Sequence, residues 1–160
     1  MIVVSDTSVI SGLVQSGHLH VLHDLYERIV IPNRVYLELQ DLDVAFRNKL
    51  ALDWIEIREV SSASLLDELT ELLDPGEAEA IVLATELPAD LLLIDEIKGR
   101  AVATKMGLSV IGTLGALAEA KKKNYITAVK PVIDVLINQC GFWIKPSLVE
   151  RVLKSVNEQY

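Results

Sequence analysis

Cysteine is almost absent from the sequence, since Cys140 is the only one among 160 residues. A single thiol excludes an internal disulfide and is typical of proteins of the reducing cytoplasm, where we expect this chain to act. Aromatic residues are also scarce, at 5% of the chain, so the core must be built from aliphatic side chains. No apolar run reaches the roughly 18 residues that a membrane span requires, and we expect no membrane association.

Positive charge is scarce as well. The chain carries 15 Lys and Arg against 23 Asp and Glu, which gives a formal net charge of -8. This balance opposes non-specific binding to nucleic acids, so a polyanionic substrate would need a local basic patch or a bound cation. A phosphate-binding loop is missing too, because the Gly-Thr-Leu-Gly segment at 112–115 lacks the lysine of a P-loop.

Short apolar runs are present, and helical patterns lie between nearly all of them. The runs predict strands at 2–5, 28–31, 54–60, 91–94 and 109–111. The helical patterns predict helices at 33–40, 44–52, 62–73, 77–87, 96–106 and 146–158. This alternation predicts an α/β fold with three α/β/α layers and a parallel sheet of about four or five strands. Residues 1–160 read as a single domain whose part from about residue 112 is helical.

An aspartate follows an apolar strand at two distant points of the chain. Asp6 comes directly after the first strand, and Asp95 directly after the fourth. Strands that are apolar throughout are typical of parallel sheets, and open parallel sheets bind ligands at their C-terminal edge. Two carboxylates at that edge, with further acids nearby, are what a divalent cation needs. The alternative is that Asp6 is only a helix N-cap, a position that Thr7 or Ser8 would also suit.

Three glutamates are further candidates for this site. Glu38 has apolar neighbours on its side of a helix, where burial would require a partner for its charge; the alternative is an ion pair with Arg34. Glu77 and Glu79 open a later helix, where the helix dipole alone favours carboxylates. Two residues correspond to about 200° around a helix, so both cannot point into one site equally well. Periodicity does not choose between them.

The order of these segments resembles the PIN-domain family. The resemblance rests on Asp-Thr-Ser at 6–8, Ile-Pro-x-x-Val-x-x-Glu-Leu at 31–39, Gly-Glu-Ala-Glu-Ala-Ile at 76–81 and Leu-Ile-Asp-Glu at 93–96. The chain is most similar to the prokaryotic, toxin-type branch that has the Gly-Glu-Ala-Glu and Gly-Thr-Leu-Gly segments. Each motif is short, but their order and spacing are specific, and together they extend from residue 2 to about residue 123.

The resemblance implies a function, a cofactor and a partner. It implies a metal-dependent endoribonuclease that cleaves single-stranded RNA with Mg²⁺ or Mn²⁺. It also implies the toxin of a toxin–antitoxin pair, with a small antitoxin protein as partner. Two alternatives stay open: a non-catalytic PIN-like module that binds RNA or protein, and another metal-dependent phosphohydrolase. An aspartyl-phosphate mechanism would usually require a second acid two residues after Asp6, and Ser8 stands there.

The resemblance also implies which residues form the site. The positions that match the acids of the family, as catalytic residues and metal ligands, are Asp6, Glu38, Glu79 and Asp95. At the third position the following Ala-Ile-x-x-Ala pattern favours Glu79, whereas the Gly-Glu pair favours Glu77, which stays a catalytic candidate. The supporting residues are Thr7, Ser8 and Glu96, and Glu96 would replace Asp95 if the match shifted by one position.

Few cations are available to contact an RNA backbone. The candidates are Lys98, Arg100, Lys105, Lys121, Lys122 and Lys123. The mean hydropathy of +0.34 is high for a soluble chain. Because two-fold dimers are the commonest assembly, this value predicts a homodimer, for which the apolar C-terminal helices are candidate interfaces.

Overall fold

The computed structural model of the chain describes residues 1–42, 44–48 and 53–159. Its strands are β1 (Val3–Ser5), β2 (Ile29–Pro32), β3 (Ile55–Arg58), β4 (Leu91–Leu93) and β5 (Val110–Ile111). Its helices are α1 (Thr7–Gln15), α2 (His20–Tyr26), α3 (Asn33–Gln40), α4 (Val44–Arg47), α5 (Ala63–Thr70), α6 (Pro75–Glu86), α7 (Ile97–Lys105), α8 (Thr113–Lys122), α9 (Lys130–Asn138) and α10 (Pro146–Ser155). The predicted helix at 44–52 is described only over its first part, because 49–52 lie outside the described residues.

The strands form one parallel sheet in the order β3-β2-β1-β4-β5. β1 lies at the centre, where Val4 pairs with Val30 of β2 on one side and with Leu92 of β4 on the other. The chain builds the sheet outward from β1 in one direction and then returns to add β4 and β5 in the other direction. Such a reversal opens a crevice at the C-terminal edge, between β1 and β4, where open α/β sheets bind ligands.

Helices cover both faces of the sheet. Successive side chains of a strand point to opposite faces. Val3 accordingly joins the core under α1, α2, α8, α9 and α10, whereas Val4 joins the core under α5, α6 and α7. Both cores are aliphatic, as the scarcity of aromatic residues requires. The predicted three-layer α/β/α fold with a parallel sheet is confirmed.

Several element ends differ from the prediction, and two of them have a clear physical reason. β3 ends at Arg58 rather than at residue 60, because it is an edge strand whose residues are mostly exposed, so that composition does not mark its end. α10 ends at Ser155 rather than at residue 158, because Glu158 turns back to cap α9. Its carboxylate accepts the N–H of Val129 at 2.7 Å and pairs with Lys121 at 2.9 Å. Within the described ranges, no helix combines the length and apolar character needed to span a bilayer.

Candidate active site

Asp6 lies where β1 ends and α1 begins. Its backbone N–H donates to the carbonyl oxygen of Leu93 in β4 at 2.9 Å, which extends the pairing of the two central strands. Its carboxylate caps α1 by accepting the N–H of Val9 at 3.2 Å. The capping alternative therefore describes part of its role. It does not explain why a charged side chain that is only 2% exposed lies among other acids.

Asp95 follows β4 and lies beside Asp6. The Ser8 hydroxyl bridges the two carboxylates, since it lies 3.3 Å from an oxygen of each. Thr113 at the start of α8 holds Asp95 from the other side, donating its N–H to Oδ1 at 2.7 Å and its hydroxyl to Oδ2 at 2.8 Å. Asp95 is thus fixed through both of its oxygens. Thr113 is not among the predicted site residues, although its Gly-Thr-Leu-Gly segment contributes to the resemblance to the PIN-domain family.

Glu38 reaches the same place from α3. The Thr7 hydroxyl donates a hydrogen bond to its Oε1. Its carboxylate also lies against Gly76 of α6, where an added Cβ would come within 2.9 Å of Cδ and 3.0 Å of Oε2. Glycine therefore leaves the space that the Glu38 carboxylate occupies. This close approach explains why glycine stands at the first position of the Gly-Glu-Ala-Glu segment.

The structure separates the two glutamates at the start of α6. Glu77 lines the same cleft as Asp6. Glu79 lines a different groove, with Arg34, whose backbone N–H donates to its Oε1 at 3.4 Å. The expectation that Glu79 is the metal ligand beside Asp6 does not fit this geometry, because two residues turn the helix by about 200°. The acid that the structure brings to Asp6 is Glu77.

These side chains surround a cleft of about 380 Å³ at the C-terminal edge of β1 and β4. Its lining is Asp6, Thr7, Ser8, Ser11, Glu38, Asp74, Glu77, Glu96 and Phe142. The predicted supporting residue Glu96 is therefore present, whereas Asp95 does not line the cleft and contacts it through the Ser8 hydroxyl. Ser11, Asp74 and Phe142 line the cleft but were not predicted. Asp74 caps α6 by accepting the N–H of Glu77 at 2.9 Å, a role that its place before Pro75 could have indicated.

The acids of the cleft raise one another's affinity for protons. Burial raises the pKa of Asp6 well above its usual value, and the charges of Asp95 and Glu77 raise it further. Burial likewise raises the pKa of Glu77 to about 7, with smaller contributions from Asp74 and Glu96. The ion pairs found within the described part of the chain involve none of these acids. Arg100 lies near Asp95 but forms none of these ion pairs.

This arrangement predicts that the metal-free protein loses stability as the pH rises. A carboxyl group with a raised pKa stabilises the fold while protonated, and for Glu77 that contribution is lost between its ordinary value of 4.5 and about 7. The full shift corresponds to about 3 kcal/mol, which solvent screening reduces to about 1–2 kcal/mol. Urea unfolding in EDTA at about pH 5 and about pH 8 measures the difference in the free energy of unfolding.

A matched pair of variants assigns this pH dependence. Glu77→Gln should flatten it and raise stability at about pH 8, because the amide carries no charge to desolvate. Glu68→Gln, which changes an exposed acid of α5, should leave the pH dependence unchanged. If the two variants show the same slope, Glu77 is not its source.

The donors of the cleft suit a hard divalent cation. They are carboxylates and hydroxyls, the oxygen ligands that Mg²⁺ and Mn²⁺ prefer. Over the described residues, no three acids, histidines or cysteines already form a group able to hold a metal ion. Mg²⁺ usually keeps several waters and takes only one or two carboxylates directly. The donor set therefore fits a cation that is held partly through water.

Arg100, a predicted RNA-contact residue, lies near Asp95 in the structure. Its Nη1 donates to the carbonyl oxygen of Ile94 at 3.2 Å. An added Cβ at Gly112 would lie 2.9 Å from this Nη1 and 2.7 Å from Oδ1 of Asp95. Lys98 is exposed in the first turn of the same helix, α7.

The other predicted cations lie away from the cleft. Lys105 ends α7 and residues 121–123 end α8, and both helices begin at the site. At 1.5 Å per residue, these ends are about 12–14 Å along the helices from the acids. Lys121 is also engaged by Glu158 at 2.9 Å. These cations do not contribute to the cleft in this structure.

Comparison with known proteins gives the family. The model of the family DUF3368, described as a PIN domain, matches residues 2–158. The chain belongs to the PIN-domain family. The resemblance inferred from the four motifs is thereby confirmed, while the toxin-type branch within the family stays a prediction. No curated protein matches the chain.

A solved structure agrees with this PIN-domain fold. It is a PilT N-terminus domain protein from the hyperthermophilic archaeon Sulfolobus solfataricus P2, with a TM-score of 0.52 over 75% of this chain and 93% of that chain. Its sequence is 20% identical, so the likeness shows the fold alone. PIN domains are generally nucleases that use divalent metal ions. In this PIN domain, the cleft is lined by carboxylate and hydroxyl oxygens, the donor type that such ions prefer.

Proposed function

We propose that this PIN domain is a metal-dependent endoribonuclease that cleaves single-stranded RNA. The observation that carries the proposal is the pair of strand-end aspartates, Asp6 and Asp95, which Ser8 bridges at the C-terminal edge of the sheet. Glu38 and Glu77 stand on the walls of the same cleft. Membership of a family of nucleases supports the reaction class.

The proposed holders of Mg²⁺ or Mn²⁺, directly or through water, are Asp6, Glu38, Glu77 and Asp95. When bound, the ion supplies charge neutralisation at the scissile phosphate and a water of lowered pKa. The chain's own hydroxyls fix the orientation of the acids. Thr113 and Ser8 hold Asp95, and Thr7 holds Glu38. Such outer contacts are commonly worth 10- to 100-fold in metal affinity or activity, by a rough general measure.

Incubation of the purified protein with unstructured RNA tests the proposal. We expect cleavage with Mn²⁺ or Mg²⁺, and none in EDTA or by Asp95→Asn. Asp67→Asn, which changes an exposed aspartate of α5, is the matched control and should cleave normally. Cleavage that survives EDTA and Asp95→Asn would come from a contaminating nuclease. Failure to cleave any RNA would favour the non-catalytic PIN-like binding module.

We further propose a small antitoxin protein and a second copy of this chain as partners, with the cytoplasm as the place of action. Three large apolar side chains, Leu37, Leu72 and Ile97, are exposed and lie within two residues in sequence of an acid that lines the cleft. A small reading frame immediately upstream would support the antitoxin. A sedimentation mass near 17.7 kDa at micromolar concentration would contradict the homodimer.

A further inference from the structure

The loop between α9 and α10 supplies one wall of the cleft. Phe142 of this loop lines the cleft together with Ser11 of α1. Its ring lies against Gly12, where an added Cβ would come within 2.7 Å of Cζ. Its backbone N–H donates to the carbonyl oxygen of Leu136 at 2.9 Å. The loop is therefore anchored to α1 by the Phe142 side chain and to α9 by its backbone.

Trp143, the next residue of this loop, is turned to solvent. Phe142 and Ile144 are half-buried, whereas Trp143 and Lys145 are exposed. A period of two is that of an extended chain, and it places Trp143 and Lys145 on one side of the loop. The Trp143 side chain is 82% exposed. A large aromatic surface and a cation thus stand on one side of the loop, and Trp143 directly follows Phe142, which lines the acid cleft.

The exposure of this indole requires an explanation. The only other tryptophan, Trp54, is half-buried and stacks on His23 with 5.0 Å between the ring centroids. An indole left in water forfeits the free energy that burial of its apolar area would provide. Its faces are therefore available to a flat ligand. Nucleobases are such ligands, and stacking on an aromatic side chain contributes about 1–3 kcal/mol per base.

We propose that Trp143 and Lys145 form a binding strip for single-stranded RNA beside the cleft. Trp143 stacks on a base, and Lys145 contacts a backbone phosphate of the same strand. This inference rests on the ribonuclease function proposed above and names a substrate contact for it. Consecutive Cα atoms are about 3.8 Å apart, so the backbone of Trp143 lies next to that of Phe142, which lines the cleft.

Base stacking also gives this acidic protein a way to bind RNA that does not depend on its net charge. A chain of net charge -8 with an acidic cleft gains little from general attraction to phosphates. Stacking does not depend on net charge, so it retains a strand where ion pairing is weak. A protein partner could also cover an exposed tryptophan. The cation two residues away and the continuity with a cleft for phosphodiester chemistry favour RNA.

Binding of a labelled, unstructured oligonucleotide tests the strip. Measured by anisotropy with Mn²⁺ in the Asp95→Asn background, Trp143→Ala should weaken affinity about 5- to 100-fold. Trp143→Phe should retain most of it, because the ring still stacks. Lys145→Ala should make the salt dependence shallower by about 0.7 in slope. Tyr125→Ala, which changes a 43% exposed aromatic in a different groove, should bind normally.

Substrate length separates stacking from a structural role. With a long oligonucleotide, Trp143→Ala should raise the KM of the otherwise wild-type protein and leave kcat unchanged, because stacking binds substrate and transition state alike. With a dinucleotide, whose two bases flank the scissile phosphate and leave no further base for the strip, the two proteins should have the same kcat/KM. A merely structural defect would lower activity on both substrates.

The other results of the binding, cleavage and sedimentation experiments decide between the RNA-binding strip, the ribonuclease function and a protein contact. Equal RNA affinity with and without Trp143 overturns the strip and leaves the ribonuclease proposal intact, because cleavage by the wild-type protein is measured separately. If no variant binds the oligonucleotide and the wild-type protein cleaves no RNA, both proposals fall. A Trp143→Ala protein with a changed sedimentation mass and unchanged RNA affinity identifies a protein contact and overturns the strip.

Discussion

Asp6→Asn is expected to lower the rate of RNA cleavage by about three orders of magnitude. The amide is nearly isosteric but removes one of the two charges at the centre of the sheet edge. A metal ion contributes several kcal/mol of transition-state stabilisation, and each 1.36 kcal/mol is about tenfold in rate. Initial rates on unstructured RNA with Mn²⁺ measure the loss. The Asn side chain keeps an oxygen that can cap α1 at Val9, so the fold should remain.

The same substitution is expected to stabilise the metal-free fold. Burial and the neighbouring Asp95 raise the pKa of Asp6, so its ionised form opposes folding at neutral pH, and the neutral amide does not. Mn²⁺ should raise the Tm of the parent by mass action and leave that of Asp6→Asn nearly unchanged. An equal response to Mn²⁺ in both proteins would remove Asp6 from the metal site.

A pair of substitutions two residues apart should give the second large effect. Glu77→Gln is expected to lower cleavage about 100-fold, and Glu79→Gln by less than about threefold. The structure motivates this contrast because Glu77 lines the cleft with Asp6, whereas Glu79 lines a separate groove beside Arg34. The two variants share a helix and a chemical change, so each is the control of the other.

Initial rates with saturating Mn²⁺ measure the contrast, and unfolding curves confirm that both variants fold. The reverse order of effects would show that Glu79 holds the ion and that the geometry of α6 described above is not that of the working enzyme. If both variants cleave RNA nearly as fast as the parent, neither Glu77 nor Glu79 belongs to the site, which would then consist of Asp6, Asp95 and Glu38.

The inner strands could be predicted because burial on both faces leaves a signal in the strand's own residues. Both faces of the inner strands are covered by helices, so a run such as 91–94 is apolar at every position, and the parallel direction follows. Asp6 and Asp95 could then be placed at one edge from their positions after strands. The end of β3 could not be predicted, because most of its side chains face solvent and carry no burial signal.

The choice between Glu77 and Glu79 could not be made from periodicity, and α6 shows why. Nearly every residue of its first three turns is buried, because the helix packs on β1, β2 and β4 and also on α3, α5 and α7. A helix that is covered on most sides has no polar stripe from which an orientation can be deduced. Thr113 and Phe142 were missed for a related reason. Their contacts with Asp95 and Gly12 join distant parts of the chain, and no local pattern marks them.

The central position of β1 has a consequence for protein synthesis. Val3 of β1 pairs with Leu91 of its neighbour β4. This side of β1 therefore stays unpaired until β4, nearly ninety residues later in the chain, has been synthesised. At about 5–20 residues per second, translation takes on the order of ten seconds to supply it. Parallel pairing between such distant segments is also slow to form. Asp6 and Asp95 can therefore meet only after β4 has been synthesised and has left the ribosome, and we expect the proposed activity to be absent before that point.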